Sequence, residues 1–275
     1  MSPSEREANA ADAEDPLPTT GPQGWLVDRF ENVGEVFLLL GAALREFPGG
    51  IRKTGLVFIQ MSMIGLGSMP LTVIVALFTG AVAAVQAAYQ MRDYVPMLYL
   101  GTVIGKSVVI ELGPVLTALV VGGRVSAAIA AELGTMRVTE QIDAMETLGI
   151  SPIRYLVVPR LVASFLMLPL LTIFADILAI FGAYLVAVLT LDVSGHTFTS
   201  GLKMYFKIQD VFSGLIKAFF FGGIIGLMGC HYGLRTEGGA EAVGDSTTRA
   251  VVASCLLILI VDYLLASFLF RVLFA

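Results

Sequence analysis

Charged residues are scarce in this chain of 275 residues. Asp, Glu, Lys and Arg make up 14% of it and hydrophobic residues make up 56%, whereas soluble domains carry about 25% charged residues. A buried core does not account for so large a deficit, and the period-2 alternation of a membrane barrel is absent from the apolar runs. The composition therefore predicts an all-α, polytopic integral membrane protein.

Residues that perform catalysis or hold metals are also few. The two histidines, His196 and His231, are isolated in the sequence, and the two cysteines, Cys230 and Cys255, lie in apolar runs as small hydrophobic side chains do. The hydrolase motifs HExxH and GxSxG do not occur. The sequence thus predicts no catalytic residue, no metal site and no enzymatic activity for this chain.

Five apolar stretches are predicted to cross the membrane, because a bilayer core of about 30 Å requires roughly 20 apolar residues per helix. Gly65, Gly67 and Pro70 are expected to divide the first uncharged run into a short segment over 51–65 and a span over 68–91. The polar stretch that follows the third span has room for one short helix. The other four spans are expected over 95–131, 155–190, 211–233 and 249–273.

The N-terminal part of the chain has a different character from the rest. Residues 1–24 are polar, acidic and proline-bearing, so we expect a disordered tail with no cleavable signal. Across residues 25–50, apolar side chains recur at steps of three and four, with the charged residues off that stripe. This pattern predicts an amphipathic helix in the membrane interface, or alternatively a helix packed on the protein's own surface.

A charged segment separates the second and third spans. Residues 132–160 include a predicted helix over about 135–148, for which Gly149 and Pro152 are end signals. At roughly 20 Å this helix is too short to cross a membrane, and it is also too polar. We interpret it as a docking element for a soluble partner, the alternative being a solvated loop helix.

Lysine and arginine residues near the span ends predict the orientation of the chain. One side, which includes the charged segment, carries Arg29, Arg45, Arg52, Lys53, Arg137, Arg154, Arg160, Arg235 and Arg249. The other side carries Arg92, Lys203, Lys207 and Arg271. Because cytoplasmic loops are enriched in Lys and Arg, the N-terminus is expected in the cytoplasm and the C-terminus outside.

Several charged side chains fall inside the predicted spans, where each costs roughly 3 kcal/mol on insertion scales. Glu111 precedes Gly113-Pro114, where helical hydrogen bonding is interrupted, and it is the best candidate for a polar point in a substrate path. Arg124 and Glu132 are expected to share a helix face as an internal salt bridge. Lys106, Asp176 and Asp262 are the remaining charged residues inside the predicted spans. The two aspartates are expected to cap or bond to neighbouring helices.

The segment Gly101–Ser107 is similar to a nucleotide-binding loop but does not match it. Three residues separate its two glycines instead of four, and no strand precedes it. Any ATP hydrolysis is therefore expected to take place on another chain.

The region from 111 to 160 resembles the MlaE/YrbE permease family of ABC-type lipid transporters, and the permease-like domain is assigned to 51–275. Weaker similarity continues through Thr248-Arg249, Val251-Val252 and Asp262. The specific matches are Glu111-Leu112-Gly113-Pro114, Gly123-Arg124, Ala131-Glu132, Met136, Glu140-Gln141, Asp143-Ala144, Gly149, Pro152 and Pro159-Arg160.

The resemblance implies a homodimer in the inner membrane, with five spans and an interfacial helix in each copy. It also implies that the helix over 135–148 is a coupling helix, which binds a separate ABC ATPase that holds ATP and Mg²⁺. A periplasmic MCE lipid-binding protein and often a STAS-domain protein are further expected partners, the substrate is phospholipid, and nucleic acid is not a partner. The expected role is maintenance of outer-membrane lipid asymmetry. The expected ATPase contacts are Arg137, Glu140, Gln141, Asp143, Met145 and Glu146.

Among the intramembrane charged residues the candidates for the lipid path are Lys106, Glu111 and Arg124, while Glu132, Asp176 and Asp262 are assigned structural polar roles. Some family members carry a basic residue immediately before the glutamate, where this chain has Ile110. Lys106, one helical turn earlier, is the hypothetical substitute for that charge.

Two other classes of function remain open at the level of the sequence. The first is an ion-coupled secondary transporter in which Glu111, Asp176 and Asp262 are the coupling carboxylates. The second is a membrane scaffold that does not transport.

Overall fold

The computed structural model describes residues 22–91 and 94–273, and every regular element in those ranges is a helix. The all-α prediction is therefore confirmed for this part of the chain. The α-helices are α1 (Pro22–Ile51), α2 (Thr54–Met91), α3 (Leu100–Ser107), α4 (Gly113–Val138), α5 (Gln141–Thr147), α6 (Val158–Leu189), α7 (Gly195–Tyr205), α8 (Ile208–Leu234) and α9 (Ala240–Leu273).

The chain divides after Leu40 into an N-terminal unit and a compact unit that begins at Gly41. Helix α1 covers most of the predicted amphipathic segment and continues through Pro48 to Ile51. Most of the predicted disordered tail, residues 1–21, lies outside the described residues. The position of α1 in the membrane interface stays a prediction.

Within the ranges that the structure describes, five helical stretches are long and apolar enough to cross a membrane, so the expected number of spans is confirmed. A separate segment over 51–65 does not occur, because α2 is unbroken through Gly65 and Pro70. A proline within a membrane helix removes one backbone hydrogen bond, which neighbouring groups can replace, and the helix therefore persists. The stretches are Thr54–Met91, Met97–Val138, Ile153–Leu189, Ile208–Leu234 and Ala240–Arg271.

The second span widens at the point where the sequence predicts a break. Residues Val108–Leu112 form a π-helical turn, in which the Gly113 amide donates to the Val108 carbonyl. Pro114 has no amide hydrogen, so the regular α-helical ladder cannot continue through it. The result is a local widening between α3 and α4, and it carries Glu111.

In the compact unit α2 packs against α6, while α4 packs against α8 and α9. Glycines permit close approach between α2 and α6: a Cβ at Gly80 would meet the carbonyl oxygen of Ala179, and one at Gly182 would meet that of Leu77. Small residues bring membrane helices into backbone contact in this way.

We expect Gly80→Ala to lower the free energy of unfolding by about 1–3 kcal/mol, because the added methyl group forces α2 away from α6. The measurement is thermal unfolding of the purified protein in detergent. Gly123→Ala is the matched control, since nothing lies within 4 Å of a Cβ at that helical position. Alanine there should be neutral or stabilising, and equal effects at both positions would contradict close packing at Gly80.

Candidate functional site

Lys217 of α8 lies at the centre of a charged cluster inside the membrane-spanning unit. Its Nζ is 2.5 Å from Oε2 of Glu111 and 2.9 Å from Oδ1 of Asp262. The Lys217 side chain is 1% exposed, while that of Glu111 is 43% exposed. We call these three residues the ion triad. With one cation and two carboxylates in their charged forms, the triad has a net negative charge and an open side at Glu111.

The ion triad depends on close contact between α8 and the π-helical turn. A Cβ at Gly214 would meet the carbonyl oxygen of Val109 and the ring of Pro114. Without that glycine the two backbones could not approach, and Lys217, three residues later on α8, would lie farther from Glu111. Lys217 was not among the predicted site residues. A lone lysine in an apolar run was the available signal, because such a charge requires a partner within the membrane.

Lys106 does not take the place next to Glu111 that the sequence suggested. Its Nζ lies 3.7 Å from Oδ2 of Asp210, a fully buried residue in the first turn of α8. The same carboxylate oxygen accepts a hydrogen bond of 3.0 Å from the Lys207 amide. The cation beside Glu111 is therefore Lys217, which comes from a different helix than the one predicted. Whether Lys106 contacts lipid stays a prediction.

The prediction of a salt bridge between Arg124 and Glu132 is wrong. Arg124 Nη1 instead donates to Ser68 Oγ of α2 at 2.8 Å. Glu132 pairs with the buried Arg160 of α6, whose Nη2 lies 2.9 Å from Glu132 Oε2. Eight residues correspond to roughly 12 Å along a helix, which is too far for direct contact. Each side chain therefore bonds to whichever neighbouring helix it faces.

The two aspartates of the predicted structural set differ in their surroundings. Asp262 of α9 pairs with Lys217 on a neighbouring helix. Asp176 of α6 faces the second span, where a Cβ at Gly113 would meet its Oδ1. Among the described residues that oxygen is buried without a hydrogen-bond partner, so the expected bond from Asp176 Oδ1 to a neighbouring helix is not formed.

The predicted helix over 135–148 is divided between two helices. Residues 135–138 complete α4, and Glu140 takes a left-handed conformation with φ of 59° before α5 begins at Gln141. Ile142 is 2% exposed and anchors α5. The predicted end signal is confirmed, because Gly149 has φ of 73° and its amide donates to the Glu146 carbonyl at 2.9 Å.

Most of the predicted ATPase contacts lie on the surface of this segment. Arg137 and Asp143 join the end of α4 to α5, with 2.5 Å between Nη1 and Oδ1. Met145 is half-buried, and the exposed leucine that follows α5, Leu148, has 76% of its surface accessible. The exposed polar members of the set are Glu140, Gln141, Asp143 and Glu146.

Across the described ranges, no group of three or more His, Cys, Asp or Glu side chains is arranged to hold a metal ion. Ion pairs and hydrogen bonds link neighbouring helices of the compact unit. The ion triad and Arg124 lie within the apolar spans, and α5 lies between the second and third spans.

Comparison with known proteins identifies the family. Residues 57–268 match the family described as Permease MlaE. The chain is 40% identical over 242 residues to a probable ABC transporter permease protein of Rickettsia felis, and this alignment covers 88% of the chain and 93% of the relative. A probable ABC transporter permease protein of Synechocystis is also 40% identical over 242 residues, covering 88% and 92% respectively.

A plant protein is similar as well. The chloroplastic protein TRIGALACTOSYLDIACYLGLYCEROL 1 of Arabidopsis thaliana is 36% identical over 212 residues, which cover 77% of this chain and 61% of that protein. Since the family match and the bacterial alignments both extend over most of the chain, and its five apolar helices suit a multi-pass membrane protein, the chain belongs to the MlaE permease family of ABC transporter permeases.

Proposed function

We propose that this permease moves phospholipid between membranes and thereby maintains lipid asymmetry of an outer membrane. The observation that carries the proposal is a groove of about 510 Å³ on α2, whose lining is largely apolar. Pockets for drug-sized ligands measure about 300–1,000 Å³, so the groove can hold a substantial part of a lipid. Its apolar lining consists mainly of Ile74, Val75, Phe78, Val82, Ala83 and Leu112.

The Arabidopsis relative supports a lipid as the substrate class, because its name contains a galactolipid, trigalactosyldiacylglycerol. The ion triad adds a polar point next to the groove. Leu112 lines the groove, and its neighbour Glu111 is the half-open member of the triad. A headgroup with positive and negative charges could exchange contacts with these three side chains while its acyl chains lie on apolar surface.

We further propose that energy comes from a separate ABC ATPase, which binds ATP and Mg²⁺ and docks on α5. The exposed carboxylates of Glu140, Asp143 and Glu146, together with Gln141, suit a basic groove on such a partner. Ile142 and the Arg137–Asp143 pair hold α5 against the rest of the chain. Movement of the partner would therefore pass directly into α4.

The remaining assembly is proposed on the same basis. Two copies of the chain form a homodimer in the inner membrane, with the N-terminus and α5 in the cytoplasm and the C-terminus outside. An MCE lipid-binding protein sits on the periplasmic face, and a STAS-domain protein binds the ATPase. The excess of Lys and Arg on the side of α5 supports this orientation.

Reconstitution tests the function. The chain and its ATPase are placed in vesicles with fluorescent phospholipid, and lipid transfer to an acceptor is measured with ATP. We expect transfer that stops when ATP is replaced by a non-hydrolysable analogue. Transfer by the chain alone, driven by a proton gradient, would instead favour a secondary transporter with Glu111, Asp176 and Asp262 as coupling carboxylates. The buried Asp176 Oδ1, which has no hydrogen-bond partner among the described residues, is the observation that favours this alternative.

A further inference from the structure

Arg124 is an exposed cation within a membrane span, and it has no carboxylate partner among the residues that the structure describes. Its guanidinium donates to Ser68 Oγ at 2.8 Å and approaches the Met63 carbonyl oxygen at 3.5 Å. Both partners are neutral, so the positive charge is not compensated. An arginine in hydrocarbon is costly unless it is paired or hydrated, and the missing partner is an anion.

The apolar lining extends from the groove on α2 toward Arg124. A second, narrow cavity of about 20 Å³ adjoins the groove and shares the lining residues Val75, Thr79 and Leu112 with it. The α4 side of this second cavity includes Leu116 and Val120, and Val120 precedes Arg124 by one helical turn. The guanidinium therefore lies just beyond one end of a continuous apolar surface between α2 and α4.

The dimensions of this surface suit an amphiphile. The groove reaches Gln86 on α2, and Ser68 lies 18 residues earlier on the same helix, a distance of roughly 27 Å at 1.5 Å per residue. That length exceeds the depth of one leaflet, which is half of the bilayer's hydrocarbon thickness of about 30 Å, so the surface is long enough for the acyl chains of one phospholipid. The lining between the two ends is largely apolar, and the Arg124 end offers a planar guanidinium, the side chain best suited to bidentate contact with phosphate.

We propose that Arg124, positioned by Ser68, binds the phosphate of a phospholipid whose acyl chains lie along the surface between α2 and α4. The site is separate from the ion triad, because Arg124 follows Glu111 by 13 residues, roughly 20 Å along the helix, and a lipid whose phosphate is bound at Arg124 does not have its headgroup at the triad. It deepens the proposed function, since it places the phosphate group of the transported lipid class. Lipid held there would be bound by the permease chain itself, without nucleotide.

The site also explains a glycine. A Cβ at Gly67 would meet the Arg124 guanidinium, so a larger residue at this position would displace the charged group from its place beside α2. Ser68 is fully buried, and its hydroxyl fixes one face of the guanidinium while leaving other N–H groups for a ligand. Gly67 and Ser68 are therefore positioning residues for Arg124.

The test measures lipid binding by the purified full chain in detergent with native mass spectrometry. The probes are dioleoylphosphatidylglycerol and dioleoylglycerol, which have the same acyl chains but differ by the phosphate-containing headgroup. We expect the wild type to prefer the phosphate-bearing lipid at least tenfold, Arg124→Gln to lose that preference, and Arg124→Lys to retain part of it. Lys203→Gln, which removes an exposed cation elsewhere, should bind as the wild type does.

Gly67→Ala is a second variant that keeps the charge and displaces the guanidinium, and it should weaken binding several-fold even if Arg124→Gln does not fold. Unchanged preference in the variants that fold would overturn the proposal. Displacement of the lipid by millimolar inorganic phosphate would also overturn it, since the site would then take a soluble anion. The binding assay contains no ATPase, so its result does not depend on transport. Intact lipid binding together with failed transport in the reconstituted vesicles would contradict the proposed function and leave this site in place.

Discussion

Lys217→Met is expected to lower the free energy of unfolding by about 3 kcal/mol and to abolish transport. Removing one member of a buried ion pair leaves an uncompensated charge, which costs about 3–5 kcal/mol. The low end applies because Glu111 is 43% exposed and partly screened. In this variant Glu111 and Asp262 keep their carboxylates but lose the cation that lies 2.5 and 2.9 Å from them.

Thermal unfolding in detergent measures the loss of stability, and ATP-driven lipid transfer measures the loss of function. Lys203→Met is the matched control, because it removes an exposed lysine of α7 and should leave both measurements unchanged. The triple variant Lys217→Met, Glu111→Gln, Asp262→Asn should regain most of the lost stability, since no buried charge remains. It should still fail to transport if the charges themselves contact the lipid. A Lys217→Met protein as stable as the wild type would refute the account of the ion triad.

Reversing the charge of α5 is expected to separate the permease from its ATPase. Glu140→Lys together with Glu146→Lys converts two exposed carboxylates into cations, and like charges across an interface suppress binding. We expect at least about tenfold weaker association, equivalent to ~1.4 kcal/mol, and a matching loss of transport. Co-purification with the ATPase and its affinity for the permease in nanodiscs are the measurements.

These two glutamates are preferred to Asp143 for this test because Asp143 pairs with Arg137 inside the segment. Reversing Asp143 would place two cations together and disturb α5 itself. Lys203→Glu, a charge reversal on α7, is the control and should not change ATPase binding. Undiminished co-purification of the Glu140 and Glu146 variant would count against α5 as the docking element, whereas its lipid binding at Arg124 should remain as in the wild type.

Hydropathy alone located the five spans, because a bilayer imposes the same requirement for about 20 apolar residues on every helix that crosses it. The widening before Pro114 and the end of α5 at Gly149 were also readable, since both depend on local backbone chemistry. The prediction that Gly65 and Pro70 divide the first apolar run into two segments was wrong. Local helix breakers lose their effect where packing and the membrane hold a helix together, as they hold α2.

The sequence by itself determined that this protein is a helical membrane permease with a charged segment between its second and third spans. Only the tertiary structure decided which charges meet. Lys217 reaches Glu111 across 106 residues and Arg124 reaches Ser68 across 56, whereas the pattern in the chain pointed to Lys106 and Glu132, which are near in sequence. Charge partners within a membrane are chosen by which helices pack together, and close contacts such as Gly214 on Val109 set that choice.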